Sequence, residues 1–508
     1  MRVFGAWALS ALLMSGLGGC AGRPYDPDRL AEDQAAQTIA FALQDIEKIY
    51  YRETEASALV RAGLAGVEDA NPGVRFVQRD GSTVMTVGDA AVFSFQPAAE
   101  IGAAEAWGER VAAALRHIAP ADPEAGPDLT VLTDTFLQGV TESLDARTRY
   151  VSHQEAEVQR LQRGGKIGTI GLYIDQGPSG WEVEGIDDAD LAVSQSLRRG
   201  DVIVEIDGTA VADLTKREVL TLLHGEIGSP VVFTIERAGA TARSSMTLRR
   251  REAGSNGISS LPVGKSTYIV MTGFTNKAVT DLKAVLAQHT NSSLGNSNGL
   301  ILDLRGNPGG LLTAVIDTAK MLLPRGPIFA THGRHSDSHQ VFGAPYGTYV
   351  ESPHLVVLLD NNSAAGSEII AAALQAHERA VVVGNASYGA GTIQTALPLP
   401  NRAEFILTWT EVTTPENYRL DKRGVMPAVC TGGRVTADEV IGALRSGGGV
   451  IDRATRTRDI DPEDTSAVEA FRALCPPREG GDEDVALQVA QAILADPELY
   501  ERILAPAL

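Results

Sequence analysis

The spacing of apolar residues changes period several times along this chain, and the changes mark out its parts. Residues 29–70 follow a helical period: Ala40, Leu43, Ile46 and Ile49 recur every three positions, and Leu59, Leu64 and Val67 mark a second amphipathic face. Between 74 and 95 the pattern shortens to β-like runs, 83–87 and 91–95, punctuated by Asp80-Gly81. Helical spacing returns over 103–117 and, after a loop rich in Pro, Asp and Gly, over 129–144. Leu64-Ala65-Gly66-Val67-Glu68 and Leu137-Gln138-Gly139-Val140-Thr141 look alike, and each is followed by a loop and an Arg-aromatic-Val triplet. The likeness fits a duplicated helical hairpin and chance equally well.

From 166 to 250 the runs are short and β-rich. Ile170-Gly171-Leu172-Tyr173-Ile174 predicts a loop and strand, 181–184 a second strand, and Arg199-Gly200-Asp201-Val202-Ile203-Val204-Glu205-Ile206-Asp207-Gly208 a hairpin. A helix over 216–223 and a strand over 231–236 follow. Residues 266–430 then alternate strand and helix: strands over 268–271, 299–305, 355–359, 380–383 and 405–409, helices over 278–288, 311–323 and 366–377. That order predicts a layered α/β core. In the acidic segment after 430, a helix is expected near 483–494.

At 508 residues the chain is too long for one compact domain. Its 44% hydrophobic and 21% charged residues suit ordinary globular cores. A formal charge of −20, with no long run of Lys or Arg, excludes the basic face that a nucleic-acid partner needs. At the start, Arg2 precedes an apolar stretch over 6–14, too short to span a bilayer, which ends on Leu17-Gly18-Gly19-Cys20. Small residues closing on a cysteine resemble a bacterial lipobox, the alternative being an ordinary signal peptide or a short buried helix. Cleavage would leave Cys20 lipidated and the protein anchored to the membrane by that lipid alone, facing the periplasm. Cys430 and Cys475 remain. In an oxidising compartment they are expected to pair, the alternative being two separate buried thiols. The nine histidines show no metal-ligand spacing. His335 and His339 are four apart, but Ser336-Asp337-Ser338 between them reads as a solvated loop. No phosphate loop is present either, and neither metal nor cofactor is expected.

The Gly-Leu-Tyr-Ile strand, the Arg-Gly-Asp-Val-Ile-Val-Glu-Ile-Asp-Gly hairpin and the helix after it resemble a PDZ domain. A PDZ groove takes an extended C-terminus as an added strand, so Ile170, Gly171, Leu172, Tyr173 and Ile174 are the implied peptide-binding residues. The alternative is a packing domain whose groove is filled by its own neighbours. The larger pattern resembles the carboxyl-terminal processing (tail-specific) serine peptidases. It is carried by Leu-Asp-Leu-Arg-Gly-Asn-Pro-Gly-Gly-Leu (302–311), Asn-Ser-Ala-Ala-Gly-Ser-Glu-Ile (362–369), Arg-Ala-Val-Val-Val-Gly (379–384) and Tyr-Gly-Ala-Gly-Thr-Ile-Gln (388–394). Leu144-Asp145 with Tyr150, and Gly424-Val425-Met426-Pro427, flank these in the family's order. The resemblance implies a ClpP/crotonase-like layered α/β core with an inserted PDZ domain and a helical N-terminal region. The divisions follow: signal peptide 1–20, linker 21–28, helical region with a short β insertion 29–160, PDZ domain 166–250, peptidase-like core 251–430 and acidic segment 431–508.

The family's chemistry is a serine–lysine dyad. By its motifs the serine position is Ala365, three residues before Glu368, and the lysine position is Ala390 in Tyr388-Gly389-Ala390-Gly391. Gln394 matches the polar residue that assists the lysine, and Gly309, Gly310 and Gly366 stand where an oxyanion hole would form. Ser363 and Ser367 lie two positions from the serine site and should point elsewhere. Lys265, Lys277, Lys283 and Lys320 fall on other segments. His224-Gly225 stands where the family usually has arginine before that glycine, which weakens the transfer of its coupling between PDZ domain and core. The resemblance therefore implies a non-catalytic relative that binds protein or peptide C-termini. The alternatives are an active periplasmic endopeptidase with a displaced nucleophile, and a structural subunit whose helical region mediates assembly, homo-oligomers included.

Overall fold

The computed structural model describes residues 27–97, 104–120, 126–163, 167–177, 180–186, 196–237, 239, 242–252, 258–291, 298–346, 354–480 and 483–505. The lipobox with Cys20 lies outside the described residues. The first helical stripe becomes α1 (Pro27–Ile49) and the second α2 (Ala56–Ala70). The hairpins after Asp80-Gly81 form an antiparallel sheet of β1 (Val74–Arg79), β2 (Ser82–Val87) and β3 (Ala90–Phe95). Helices α3 (Ala104–Arg116) and α4 (Leu129–Glu142) follow, and β4 (Arg149–Val151) leads into α5 (His153–Arg163). The two look-alike stretches sit on α2 and α4 and face each other. A Cβ on Gly139 would come within 2.9 Å of the Ala62 carbonyl, so only glycine lets these helices approach so closely.

The PDZ domain is a twisted antiparallel sheet. Its strands are β5 (Leu172–Gly177), β6 (Gly180–Ile186), β7 (Val202–Ile206), β8 (Pro230–Glu236) and β9 (Ser244–Arg249), in spatial order β9-β8-β7-β6-β5. Helix α6 (Lys216–Leu223) is started by a reciprocal cap between Thr215 and Glu218. It packs Val219 and Leu223 against Leu172, Ile174 and Phe233.

The core sheet collects strands β10 (Ile258–Val263), β11 (Ser266–Met271), β12 (Gly299–Asp303), β15 (Leu355–Leu359), β16 (Val381–Gly384) and β19 (Val429–Cys430), in that order. From β11 onward all neighbours are parallel. Parallel strands buried on both faces read as unbroken apolar runs, and Leu300-Ile301-Leu302 and Leu355-Val356-Val357-Leu358-Leu359 do so. Alternate residues face opposite layers. Leu300, Leu302 and Val357 meet α7 (Asn276–Asn291), α8 (Leu312–Leu322) and α9 (Gly366–Ala376). Ile301, Val356 and Leu358 meet α10 (Ala437–Arg445), α12 (Val485–Ala495) and α13 (Pro497–Leu504), so the acidic segment closes the second face of the core.

A second sheet, β14-β13-β18-β17, is built from β13 (Gly326–His332), β14 (Gln340–Ala344), β17 (Thr392–Pro398) and β18 (Glu404–Thr413). Strand β4 pairs with β18, and Leu397, Leu399, Phe405 and Leu407 enter the same core as α1–α4. The N-terminal helices are thus fastened to the hairpin that continues from the Tyr388-Gly389-Ala390-Gly391 turn. Among the described residues no helix is long and apolar enough to cross a membrane.

Candidate active site and its family

Three turns meet at the C-terminal ends of β12, β15 and β16, the edge at which open parallel sheets gather functional groups. The turn after β12 carries Gly309 and Gly310. The one after β15 enters α9 through Ala365, and the one after β16 carries Ala390. Asn307, fully buried, ties the first two. Its amide donates to the Met271 carbonyl at 2.8 Å, while its own carbonyl accepts from Ala364 N at 2.9 Å and Ser367 Oγ at 3.0 Å. A Cβ placed on Gly309 would lie 2.9 Å from the Ala365 methyl and 3.1 Å from Gly366 N. The glycine turn therefore abuts the start of α9.

Glu368 ties in the third turn. Wholly buried, it accepts from Ala365 N at 2.8 Å, Ala390 N at 2.7 Å, Gly389 N at 2.6 Å and Ser387 Oγ at 2.5 Å. Two amides bonded to one carboxylate oxygen, Oε2, at those distances are at most about 5.5 Å apart, which fixes positions 365 and 390 on the two sides of one small site. Burial pushes the Glu368 carboxyl above its usual range, and the four donors pull against that shift. Ala365 itself sits at φ 48°, ψ −105°, backbone that a side-chain-bearing residue rarely adopts. Strain of this kind, at a sharp turn between strand and helix, is the geometry that presents a nucleophile in hydrolases. Neither Ala365 nor Ala390 carries a group that can attack a carbonyl or take a proton.

Among the described residues the serines of these turns are all engaged. Ser363 Oγ donates to the Leu304 carbonyl at 2.8 Å and lies 2.9 Å from Asp360 Oδ1, Ser367 bonds Asn307, and Ser387 bonds Glu368. All three serines are fully buried. Lys422, which the motif reading passed over, packs its backbone against Gly389, and its ammonium lies 3.3 Å from Glu463 in a cleft that Tyr388, Gly389 and Thr392 also line.

One expectation needs correction. The Gly309 amide is not available to an oxyanion, because it donates to Asn307 Oδ1 at 2.8 Å; Gly310 and Gly366 are left as the amides for that role. Gln394 has no lysine to assist, and its amide donates to Thr392 Oγ1 at 2.8 Å and Thr408 Oγ1 at 3.3 Å. The sequence reading used Glu368 only as a landmark and missed its clamping role, although a Glu three residues into a helix is a recognisable capping signal. It also missed two arginines that brace the third turn. Arg147 donates to the Gly389 carbonyl at 2.7 Å and to Asp421 at 2.8 Å, and Arg472 donates to the carbonyls of Ser387 and Tyr388.

Cys430 and Cys475 form a disulfide with Cα atoms 5.7 Å apart. It anchors the segment after α11 (Thr465–Arg472), where the Cys475 carbonyl accepts from Ala386 N at 3.1 Å. In the PDZ domain, Ile170, Leu172 and Ile174 point into the domain core, and Gly171 takes φ 64° at the bend before β5. Strand β5 pairs only with β6, so its other edge has no partner strand among the described residues. Arg250 fills the space beside Gly225, donating to the carbonyls of Leu222, Leu223 and Pro230.

A layered α/β core whose strand ends gather a strained elbow, a glycine turn and a clamped third turn, with a PDZ domain ahead of it, defines a processing-peptidase architecture. Peptidase family S41 matches residues 265–430, and the PDZ domain family matches residues 161–248. The carboxy-terminal-processing protease of Bartonella bacilliformis is 29% identical over 304 residues, covering 60% of this chain and 70% of that one. The carboxyl-terminal-processing protease of a Synechocystis species is 30% identical over 305 residues, covering 58% and 70%. Among solved structures, the photosystem II D1 C-terminal processing protease is 22% identical, covers 79% of this chain and 92% of its own, and aligns with a TM-score of 0.41. The chain belongs to the carboxyl-terminal-processing proteases of peptidase family S41.

Proposed function

We propose that this protein is a non-catalytic member of its family, which binds the C-termini of proteins or peptides in the cell envelope and leaves them uncut. One observation carries the reading. The backbone of the site is held by a buried carboxylate in hydrolase form, yet both side chains that should react end at a methyl group. Loss of nucleophile and base together removes on the order of a million-fold in rate, because the two act as a unit. That Ser363, Ser367 and Ser387 are buried and engaged in hydrogen bonds favours this reading over a displaced nucleophile. The open edge of β5 supports the binding half of the reading, since an added strand gains backbone hydrogen bonds there. The purely structural alternative uses neither that edge nor the amides of Gly310 and Gly366. Anchoring at Cys20 by lipid, facing the periplasm, rests on the Leu17–Cys20 pattern.

The test is binding followed by mass analysis. Fluorescent peptides with an apolar last residue are titrated into the whole protein as free acids and as C-terminal amides. The free acids should bind, the amides should bind at least tenfold more weakly, and both should be recovered at full mass. Equal affinity for acid and amide, or no binding of either, would contradict the reading.

A further inference from the structure

A cleft of about 350 Å³ opens at the carboxyl ends of β12, β15, β16 and β19, where open parallel sheets place their ligands. It lies on the face of the core sheet away from Ala365, which starts α9 in the other layer. Alternation along the strands puts it there. Val383 and Val429 point to the layer of α10, α12 and α13, so Asn385 and Thr431, two residues further on, turn the same way. Gly384 pairs with Cys430, and Thr431 N donates to the Gly384 carbonyl at 2.9 Å, so Asn385 and Thr431 are neighbours at the floor of the cleft. Asn385 is 6% exposed and Thr431 2%. Neither side chain has a hydrogen-bond partner among the described residues, although buried polar groups are nearly always paired.

The charged groups of the lining divide in two. Arg305 is taken up by Asp484 at 2.7 Å and by Asp303 at 2.6 Å, and Asp360 Oδ1 accepts from Gly306 N at 2.9 Å and Asn362 N at 3.1 Å. Arg478, by contrast, donates only to the Val435 carbonyl, at 2.9 Å, and has no carboxylate partner among the described residues. The Glu483 carboxylate has no cation partner there either, and no ion pair joins the two. We propose that this cleft binds a small zwitterion of the α-amino acid class. Its carboxylate pairs with Arg478 and its ammonium with Glu483, while Asn385 and Thr431 complete the hydrogen bonds at the floor. A simple anion would meet the carboxylates of Asp360, Glu483 and Asp484, and a simple cation would meet two guanidinium groups. A molecule with both charges on one short frame meets neither objection. The planar fork of an arginine suits a carboxylate, and the volume lies at the small end of ligand sites. Leu359 and Val485 supply apolar wall for a side chain. The inference uses none of the groups at Ala365 or along the β5 edge.

The experiment titrates the whole protein with each common L-amino acid, singly, by isothermal calorimetry. At least one should bind, and its carboxamide and its N-acetyl derivative, each lacking one charge, should bind about tenfold more weakly. Arg478→Gln should weaken the amino acid about tenfold and leave the carboxamide unchanged, a split that a merely structural role would not produce. Asn385→Leu should weaken both. Its thermal midpoint should equal or exceed the parent's, because an apolar side chain of similar size replaces a buried amide without a partner. Binding of no amino acid, equal affinity for the uncharged derivatives, or an amino acid affinity unchanged by Arg478→Gln overturns the site. A lowered midpoint in Asn385→Leu overturns it too, since the amide would then be serving the fold.

Discussion

At the scale of single residues, Ala365 and Glu368 define the site. Ala365 keeps a positive φ, and such strain is worth about 1–3 kcal/mol. Glycine adopts that conformation freely but loses about 0.5–1 kcal/mol through its more mobile unfolded chain. Ala365→Gly should therefore stabilise the protein by about 1 kcal/mol, read as a higher urea midpoint at unchanged slope. A lower midpoint would mean that the elbow is not strained. That the turns of 365 and 390 meet was legible from motif spacing alone. The hydrogen bonds that decide which groups are free were not, because a motif does not say where each amide and hydroxyl is directed. Gly309 looked like an oxyanion donor until Asn307 was seen to hold its amide. Arg472 comes to the site from a segment that carries no motif for it, and Ser387 falls in the gap between the 379–384 and 388–394 motifs.

At the scale of elements, the buried parallel strands and amphipathic helices were the most legible parts. Leu355–Leu359 appears as read, α6 runs over 216–223 as its apolar period implies, and α9 begins one residue after Ala365. Strands β13, β14 and β17 were missed. Their residues alternate weakly, and pairing of β13 and β17 with β18, and of β14 with β13, rather than local propensity makes them strands. The C-terminal helices α10, α11 and α13 were missed too, as short elements that owe their stability to the sheet face and the disulfide. That cross-link spans 45 residues, which in the chain-entropy model contributes about 4 kcal/mol. Reduction should lower the unfolding free energy by about 3–4 kcal/mol and raise hydrogen exchange at Ala386 and Tyr388, whose turn the Cys475 carbonyl and Arg472 hold. Unchanged stability after complete reduction, checked by thiol titration, would show that packing alone fixes this segment.

At the scale of the whole molecule, the parts read from the sequence form one frame around the site. The N-terminal helices share a core with β17 and β18, and β17 continues from the turn of Ala390. The acidic segment covers the core sheet and braces the same turn through Arg472. Composition gave no hint of this convergence, since sequence periodicity reports which face of an element is buried but not which partner buries it. A frame fastened from both ends should keep the hydrolase geometry even without its reactive groups. The central claim is that chemistry is lost at positions 365 and 390 and nowhere else. The most direct measurement incubates the parent, Ala365→Ser, Ala390→Lys and the double variant with an unfolded substrate ending in an apolar free carboxylate. Intact mass is followed over time. The account predicts full-length substrate with the parent and each single variant, and new cleavage products with the double variant, because nucleophile and base act as one unit. Cleavage by the parent, or a double variant that is folded to the parent's thermal midpoint and still inert, would contradict it.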